Sequence, residues 1–248
     1  MKLYLNCMQC SQESHGATHD GVAVEYTEEG FYFFECKQGH KNFIMLQEER
    51  FETLFQIGAN ALMDGYYREA VNSFTTSLER FYEFCTKVFC KKNNITNDVF
   101  DKNWKFIAKS SERQFGCFLF LYLIEFKEPP LLKKDEDSWR NLRNEMVHNG
   151  KIPTREEALK YGEEVRQFIL KTILKLQQEY SNEIQSLISE NLQSKVRNNV
   201  FGCNNTTLCN GNIISLVNGE IEKELEKDFS SCLHSMKAQE NAMKRHYC

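Results

Sequence analysis

The sequence predicts a mainly α protein: a helical bundle with a small β module before it and a helical extension after it. Three observations carry this. The 248 residues include 3 Pro and 12 Gly, too few for the turns of an all-β chain of this size. Apolar residues recur at helical spacing through most of residues 49–180. Residues 1–48 alternate with a period of two instead: Val22, Val24 and Tyr26 are separated by Ala23 and Glu25, and aromatic Phe31 to Phe34 follow the turn residue Gly30. The expected organisation is therefore 1–48, 49–180 and 181–248.

The helices follow in order. Leu54, Ile57, Ala61 and Leu62 mark the first, which ends at Asp64–Gly65. Ala70, Val71, Phe74, Leu78, Phe81, Cys85 and Val88 form the stripe of the second, and Asn93 to Asn97 is a polar turn. A helix around Val99 to Lys109 precedes the very apolar Phe115–Phe126 segment, which reads as a buried helix stopped by Pro129 and Pro130. The next runs from about Ser138 to His148 and stops at Asn149–Gly150. Thr154 and Glu157 then form a capping box for a helix buried through Tyr161, Val165, Phe168, Ile169 and Leu176. Beyond residue 180, Ile184, Leu187 and Ile188 extend a helix. Gly202 to Gly211 reads as a loop, and Ile221 to His234 as a last amphipathic helix.

Composition excludes several classes. With 41% hydrophobic residues the chain buries a core, so it is no disordered tail. Lys and Arg number 31 against 35 Asp and Glu, a net charge of −4, so it does not coat nucleic acid by bulk charge. Met1 to Leu5 lacks the apolar run of a secretory signal, and Phe115–Phe126 is too short to cross a bilayer. The expectation is a cytoplasmic protein with no membrane partner. Its ten cysteines should then be reduced and serve as metal ligands or small core residues.

Two constellations carry chemistry. Cys7 and Cys10 form a C-x2-C knuckle, and Cys36 and His40 a C-x3-H knuckle after an aromatic strand. Zinc takes four N/S ligands in a tetrahedron, and two short turns at opposite ends of a small sheet supply them. Gly39 lets the second turn tighten. So small a module has little core, and a structural zinc supplies the missing stability. Four protein ligands leave no place for a catalytic water, so the metal is structural. The segment resembles a zinc ribbon. His15 and His19, in the intervening loop, could substitute for one ligand, but a solvated loop is the better expectation for them.

The second constellation is Arg143, Asn144 and His148 at a helix end. Asn144 and His148 are i, i+4 and share a face, while Arg143 lies about 140° round from His148. Histidine can move a proton near neutral pH, and arginine can stabilise charge building on a phosphate. Asparagine can orient either. Together they suit metal-independent RNA cleavage by the ribose 2′-hydroxyl. The same residues also suit plain C-terminal helix capping.

Residues 50–180 resemble the HEPN family, through Arg143-Asn144-x3-His148, the stop at Gly150 to Thr154, and the helix running from Tyr67-Arg-Glu-Ala to Ser77-Leu-Glu-Arg-Phe-Tyr-Glu83. The resemblance implies a helical bundle that forms a homodimer, with two Arg-x4-His motifs facing one cleft. It implies an endoribonuclease of toxin or antiviral-defence type, with RNA as substrate, no catalytic cofactor, and a cognate antitoxin or defence-system partner. Glu79, Arg80 and Glu83 are the candidate supporting polar residues; they equally suit a solvated helix face. Some family toxins carry a modifiable Tyr two residues after the His, where this chain has Gly150. The alternatives are a non-catalytic RNA- or nucleotide-binding or scaffold module, and a zinc-ribbon regulator whose bundle only dimerises.

Weaker features remain. Lys102, Lys105, Lys109 and Lys133–Lys134 are a candidate basic rim, and Trp104, Tyr122 and Trp139 candidate base-stacking platforms, with burial the better expectation for Tyr122. Cys85, Cys90 and Cys117 read as core. Cys203, Cys209, Cys232 and Cys248, with His234 and His246, have irregular spacing for a second metal.

Overall fold

The computed structural model describes residues 2–13, 21–130, 137–200, 202–210, 213–217 and 220–247, without the side chains of 137–140 and 244–247. The element order is β1 (Lys2–Asn6), α1 (Met8–Glu13), β2 (Gly21–Glu25), β3 (Phe31–Glu35), β4 (Lys41–Leu46), α2 (Arg50–Met63), α3 (Tyr67–Lys92), α4 (Asn97–Ile107), α5 (Ser111–Phe126), α6 (Asp137–His148), α7 (Arg155–Val196), β5 (Asn205–Leu208), α8 (Ile221–Glu226) and α9 (Phe229–Tyr247). The chain divides into two units. The first draws on Met1–Glu48, Ile188–Asn210 and Ser231–Cys248, and the second on Glu49–Leu187 and Gly211–Ser230. Residues 181–248 are thus shared between both.

The first unit contains two sheets. β1 and β2 pair antiparallel from Lys2↔Glu25 to Asn6↔Gly21. β4 lies between β3, its antiparallel partner, and β5, its parallel partner. Alternation explains β1 and β3: Leu3, Leu5, Tyr32 and Phe34 point inward. Asn42 to Leu46 are all buried, as suits a central strand covered on both faces. The two knuckles therefore belong to different sheets and not to opposite ends of one. A cluster of Leu3, Leu5, Tyr32, Phe34, Ile44 and Leu46 packs with the three N-terminal cysteines. The loop expected over Gly202 to Gly211 contains β5, whose Thr206 and Thr207 pair with Ile44 and Met45. Its pairing partner is distant in sequence, so local composition hides it.

The second unit is helical. A capping box starts α2: Glu49 accepts from the Glu52 amide, and the Glu52 side chain accepts from Glu49 N at 2.7 Å. The other Glu52 oxygen accepts from Leu216 N at 2.8 Å, which satisfies a buried carboxylate. Phe55, Phe74 and Phe229 form an aromatic core with centroids 4.8–6.0 Å apart. Gly58 and Gly162 both face Phe74 without room for a Cβ. The Thr154–Glu157 capping box forms, with Thr154 N donating to Glu157 at 2.8 Å and Glu157 N to Thr154 Oγ1 at 3.2 Å. The helix it opens runs to Val196, interrupted at Tyr180 (φ −129°, ψ 29°).

Two helices differ from expectation. α5 is only half covered: Gln114, Phe118 and Tyr122 are buried, but Phe120 is 69% exposed, and Leu123 and Ile124 are exposed beside it. Its apolar residues surround the helix, and the unit covers one face. The segment Ile221 to His234 is two helices, broken at Lys227 and Asp228. The fully buried Arg166 explains the break, because its guanidinium donates to the carbonyls of Glu224 and Lys227 that end α8. Among the described residues, no helix is long and apolar enough to cross a membrane.

Candidate functional site

Cys7 follows β1 directly, and the first turn of α1 presents Cys10. Cys36 and His40 bracket the β3–β4 turn, which closes with Cys36 N donating to His40 O at 3.0 Å and Gly39 N to Cys36 O at 2.9 Å. Gly39 has φ +82°, the left-handed region that glycine enters at little cost. The four ligand atoms lie within 4.8 Å of one another. Cys10 Sγ is 3.7 Å from Cys36 Sγ and 3.2 Å from His40 Nδ1, and Cys7 Sγ is 3.7 Å from that nitrogen. A tetrahedral zinc with thiolates at about 2.3 Å needs sulfur–sulfur edges of about 3.8 Å.

The electrostatics also suit a cation. Burial raises the Cys7 thiol, but hydrogen bonds from the Cys10 amide, Asn42 and His40 outweigh it and bring the group down to about 7. Burial, reinforced by Cys7 and Cys36, pushes Cys10 up to about 12. Cys10 thus resists ionisation, and a bound cation would relieve that resistance. Cys7, Cys10, Cys36 and His40 can therefore hold a metal ion. Among the described residues no second such group of His, Cys, Asp and Glu occurs. His15, His19, Cys248 and the His246 side chain lie outside the described residues.

Arg143, Asn144 and His148 lie in the last turns of α6. Buried Met146 anchors this helix, and it ends with Asn149 N donating to Glu145 O at 3.0 Å and Gly150 at φ +68°. Arg143 is half-buried and its Nη1 donates to Asn144 Oδ1 at 3.2 Å, while Asn144 and His148 face solvent. Half-buried Glu79 of α3 lies in the field of Arg143. Burial raises the Glu79 carboxyl, Arg80 and Arg143 oppose the shift, and Glu112 adds to it. Hydrogen bonds from its own amide and Ser110 lower Glu112, with a smaller contribution from Arg143.

Arg80 and Glu83 have a different setting. Arg80 donates to Glu83 at 2.6 Å and to buried Gln114 at 2.9 Å, and Gln114 donates to Ala108 O at 2.8 Å. Lys87 pairs with Glu83 at 3.0 Å. These links tie α3 to the start of α5. Tyr161 of α7, also in the field of Glu79 and Arg143, donates its hydroxyl to Thr75 at 2.7 Å, because the Thr75 hydroxyl is given to Val71 O. Glu112, Gln114, Thr75 and Tyr161 carry no motif, and only the packing of α5 and α7 against α3 sets Gln114 on Arg80 and Tyr161 on Thr75.

The candidate base-stacking residues divide. Trp104 is buried and stacked on Phe100 at 5.3 Å, so it offers no platform. Tyr122 is buried as expected. Lys102 pairs with Asp98 at 3.2 Å, and Lys105 and Lys109 are exposed. Lys133, Lys134 and the Trp139 side chain lie outside the described residues. Cys85 is buried, and Cys90, Cys117, Cys203, Cys209 and Cys232 are half-buried. Comparison of the chain with protein-family models, with curated proteins and with solved structures finds no match.

Proposed function

We propose that the protein is a HEPN-like, metal-independent endoribonuclease of toxin or antiviral-defence type, working as a cytoplasmic homodimer. The observation that carries this reading is that half-buried Arg143, bonded to exposed Asn144 and with Glu79 in its field, shares the last turns of one helix with exposed His148. Arg143 would hold a non-bridging phosphate oxygen and stabilise its growing charge. His148 would take the 2′-hydroxyl proton or supply the proton to the departing 5′-oxygen, and a second copy would supply the complementary histidine. The products are a 2′,3′-cyclic phosphate and a 5′-hydroxyl. Asn144 would orient Arg143, to which it is already bonded.

Zinc bound by Cys7, Cys10, Cys36 and His40 would cross-link the two small sheets and take no part in the reaction. The partners of this reading are RNA and a cognate antitoxin or defence-system protein. Zinc-loaded wild-type protein and His148→Ala are to be incubated with total RNA in buffer free of other divalent cations. Cleavage by the wild type alone is expected, and identical RNA patterns would sink the enzymatic claim. A second reading, a non-catalytic binding or scaffold module, draws on the carboxylates of Glu79 and Glu112, which offset the charge of Arg143. RNA binding without cleavage, undiminished in His148→Ala, would favour it.

A further inference from the structure

The imidazole of His40 is addressed on both sides by a single helix turn. Its Nδ1 faces the thiols, 3.2 Å from Cys10 Sγ, while its Nε2 lies 3.8 Å from Glu13 Oε1. Cys10 and Glu13 are i, i+3 on α1, so they share a face, and the ring sits against both. The same Glu13 oxygen accepts from Gln9 Nε2 at 3.0 Å, from one turn earlier, which steadies the carboxylate. On the other flank, buried Asn42 donates to the His40 carbonyl at 2.9 Å and hydrogen-bonds Cys7, so the knuckle's backbone is fixed as well.

A neutral imidazole that ligates through Nδ1 must carry its hydrogen on Nε2, and that hydrogen needs an acceptor. Glu13 is an acceptor at that position. We propose that Glu13 is a positioning residue of the metal centre, holding His40 in the Nε2–H tautomer so that Nδ1 completes the Cys3His set. The separation of 3.8 Å is an ion-pair distance, and a hydrogen bond forms when ring and carboxylate close by about 1 Å. Glu13 lies at the surface, with a side chain 59% exposed, so its replacement spares the core. The charge adds to the geometry: a carboxylate on the distal nitrogen makes the ligating nitrogen a better donor.

This inference rests on the metal reading, and the experiment separates the two. Zinc affinity of the full chain is measured by competition with a chromophoric chelator, for wild type, Glu13→Gln and Glu13→Ala. The ligating nitrogen is read from two-bond 1H–15N correlations of the histidines in zinc-loaded protein. The wild type should bind one zinc with His40 coordinated through Nδ1. Glu13→Ala should bind about 10- to 100-fold more weakly with unchanged far-UV circular dichroism. Glu13→Gln, which keeps an acceptor without the charge, should fall between. Tight zinc binding with Glu13→Ala within twofold of wild type, or with Nε2 as the ligand, would overturn the role of Glu13. A wild type that binds no zinc would overturn the metal reading beneath it.

Discussion

The Nζ of buried Lys195 donates to the backbone carbonyl of Leu46 at 2.7 Å, although 149 positions separate the two. Leu46 ends β4, and the bond ties the end of α7 to the central strand of the first unit. Gly30, in the left-handed region at φ +64°, lies beside this side chain, and a Cβ there would make ordinary contact with Lys195 Cε and Nζ at 3.4 Å. The charge of Lys195 also reaches Glu48, whose carboxyl burial raises. Lys195→Met removes the donor and leaves buried acceptors behind. It should cost about 1–3 kcal/mol in urea unfolding, and no loss would show that the bond is dispensable.

The two glycines facing Phe74 make a test of packing in the second unit. A Cβ at Gly58 would come within 2.7 Å of the Phe74 ring and 3.1 Å of the Ala70 carbonyl. At Gly162 it would come within 2.7 Å of both Phe74 and Phe229. Alanine improves helix propensity at either position, but the rigid rings oppose it. Each Gly→Ala change should destabilise by about 1–3 kcal/mol, read as a lower Tm; a higher Tm would show that the rings yield.

The start of α7 offers a pH test. Bonds from Thr154 N and Lys151 hold the Glu157 carboxyl below its ordinary value. A depressed folded-state pKa gives stability that is present above the unfolded value and lost as pH falls through the folded one. Thr154→Ala should cost about 1 kcal/mol at neutral pH. Glu157→Gln should flatten the stability profile below about pH 4.3, and an unchanged acid limb would remove Glu157 from the account.

Removal of metal is the corresponding test for the first unit. A cation held by the three thiols and His40 would join β1 to the β3–β4 turn, and its removal would leave that link to weaker contacts. Chelation of the zinc-loaded protein should speed amide exchange in β1, β3 and β4, and Cys36→Ser should reproduce the effect without chelator. Exchange unaltered by either would show that the two sheets hold together on their apolar cluster alone.

Much of this was legible in the sequence because the signals are local. The stripe from Ala70 to Val88, the Thr154–Glu157 box and the turn at Gly39 each depend on residues a few positions apart. The cluster of Cys7, Cys10, Cys36 and His40, which could hold a metal ion, was legible for the same reason, as two short knuckles. What was hidden depends on distant partners. β5 is a strand only because β4 lies beside it. Glu52 looks like one more surface acid until Leu216 N meets it. The hydropathy of α5 promised burial on all sides, whereas Phe120, Leu123 and Ile124 stay outside. Around Arg143 the spacing to Asn144 and His148 was readable, but that Glu112 and Tyr161 lie in its field depends on other helices.

The central claim is that the end of α6 cleaves RNA through Arg143 and His148. Its most direct test is to map the termini produced when zinc-loaded wild type, Arg143→Ala and His148→Ala act on total RNA without other divalent cations. The account predicts new 2′,3′-cyclic phosphate and 5′-hydroxyl ends with the wild type, reduced at least about 100-fold in each variant, in line with the loss of an acid–base group at His148 and of transition-state charge stabilisation at Arg143. Equal yields of such ends from all three proteins, or none from the wild type, would contradict it.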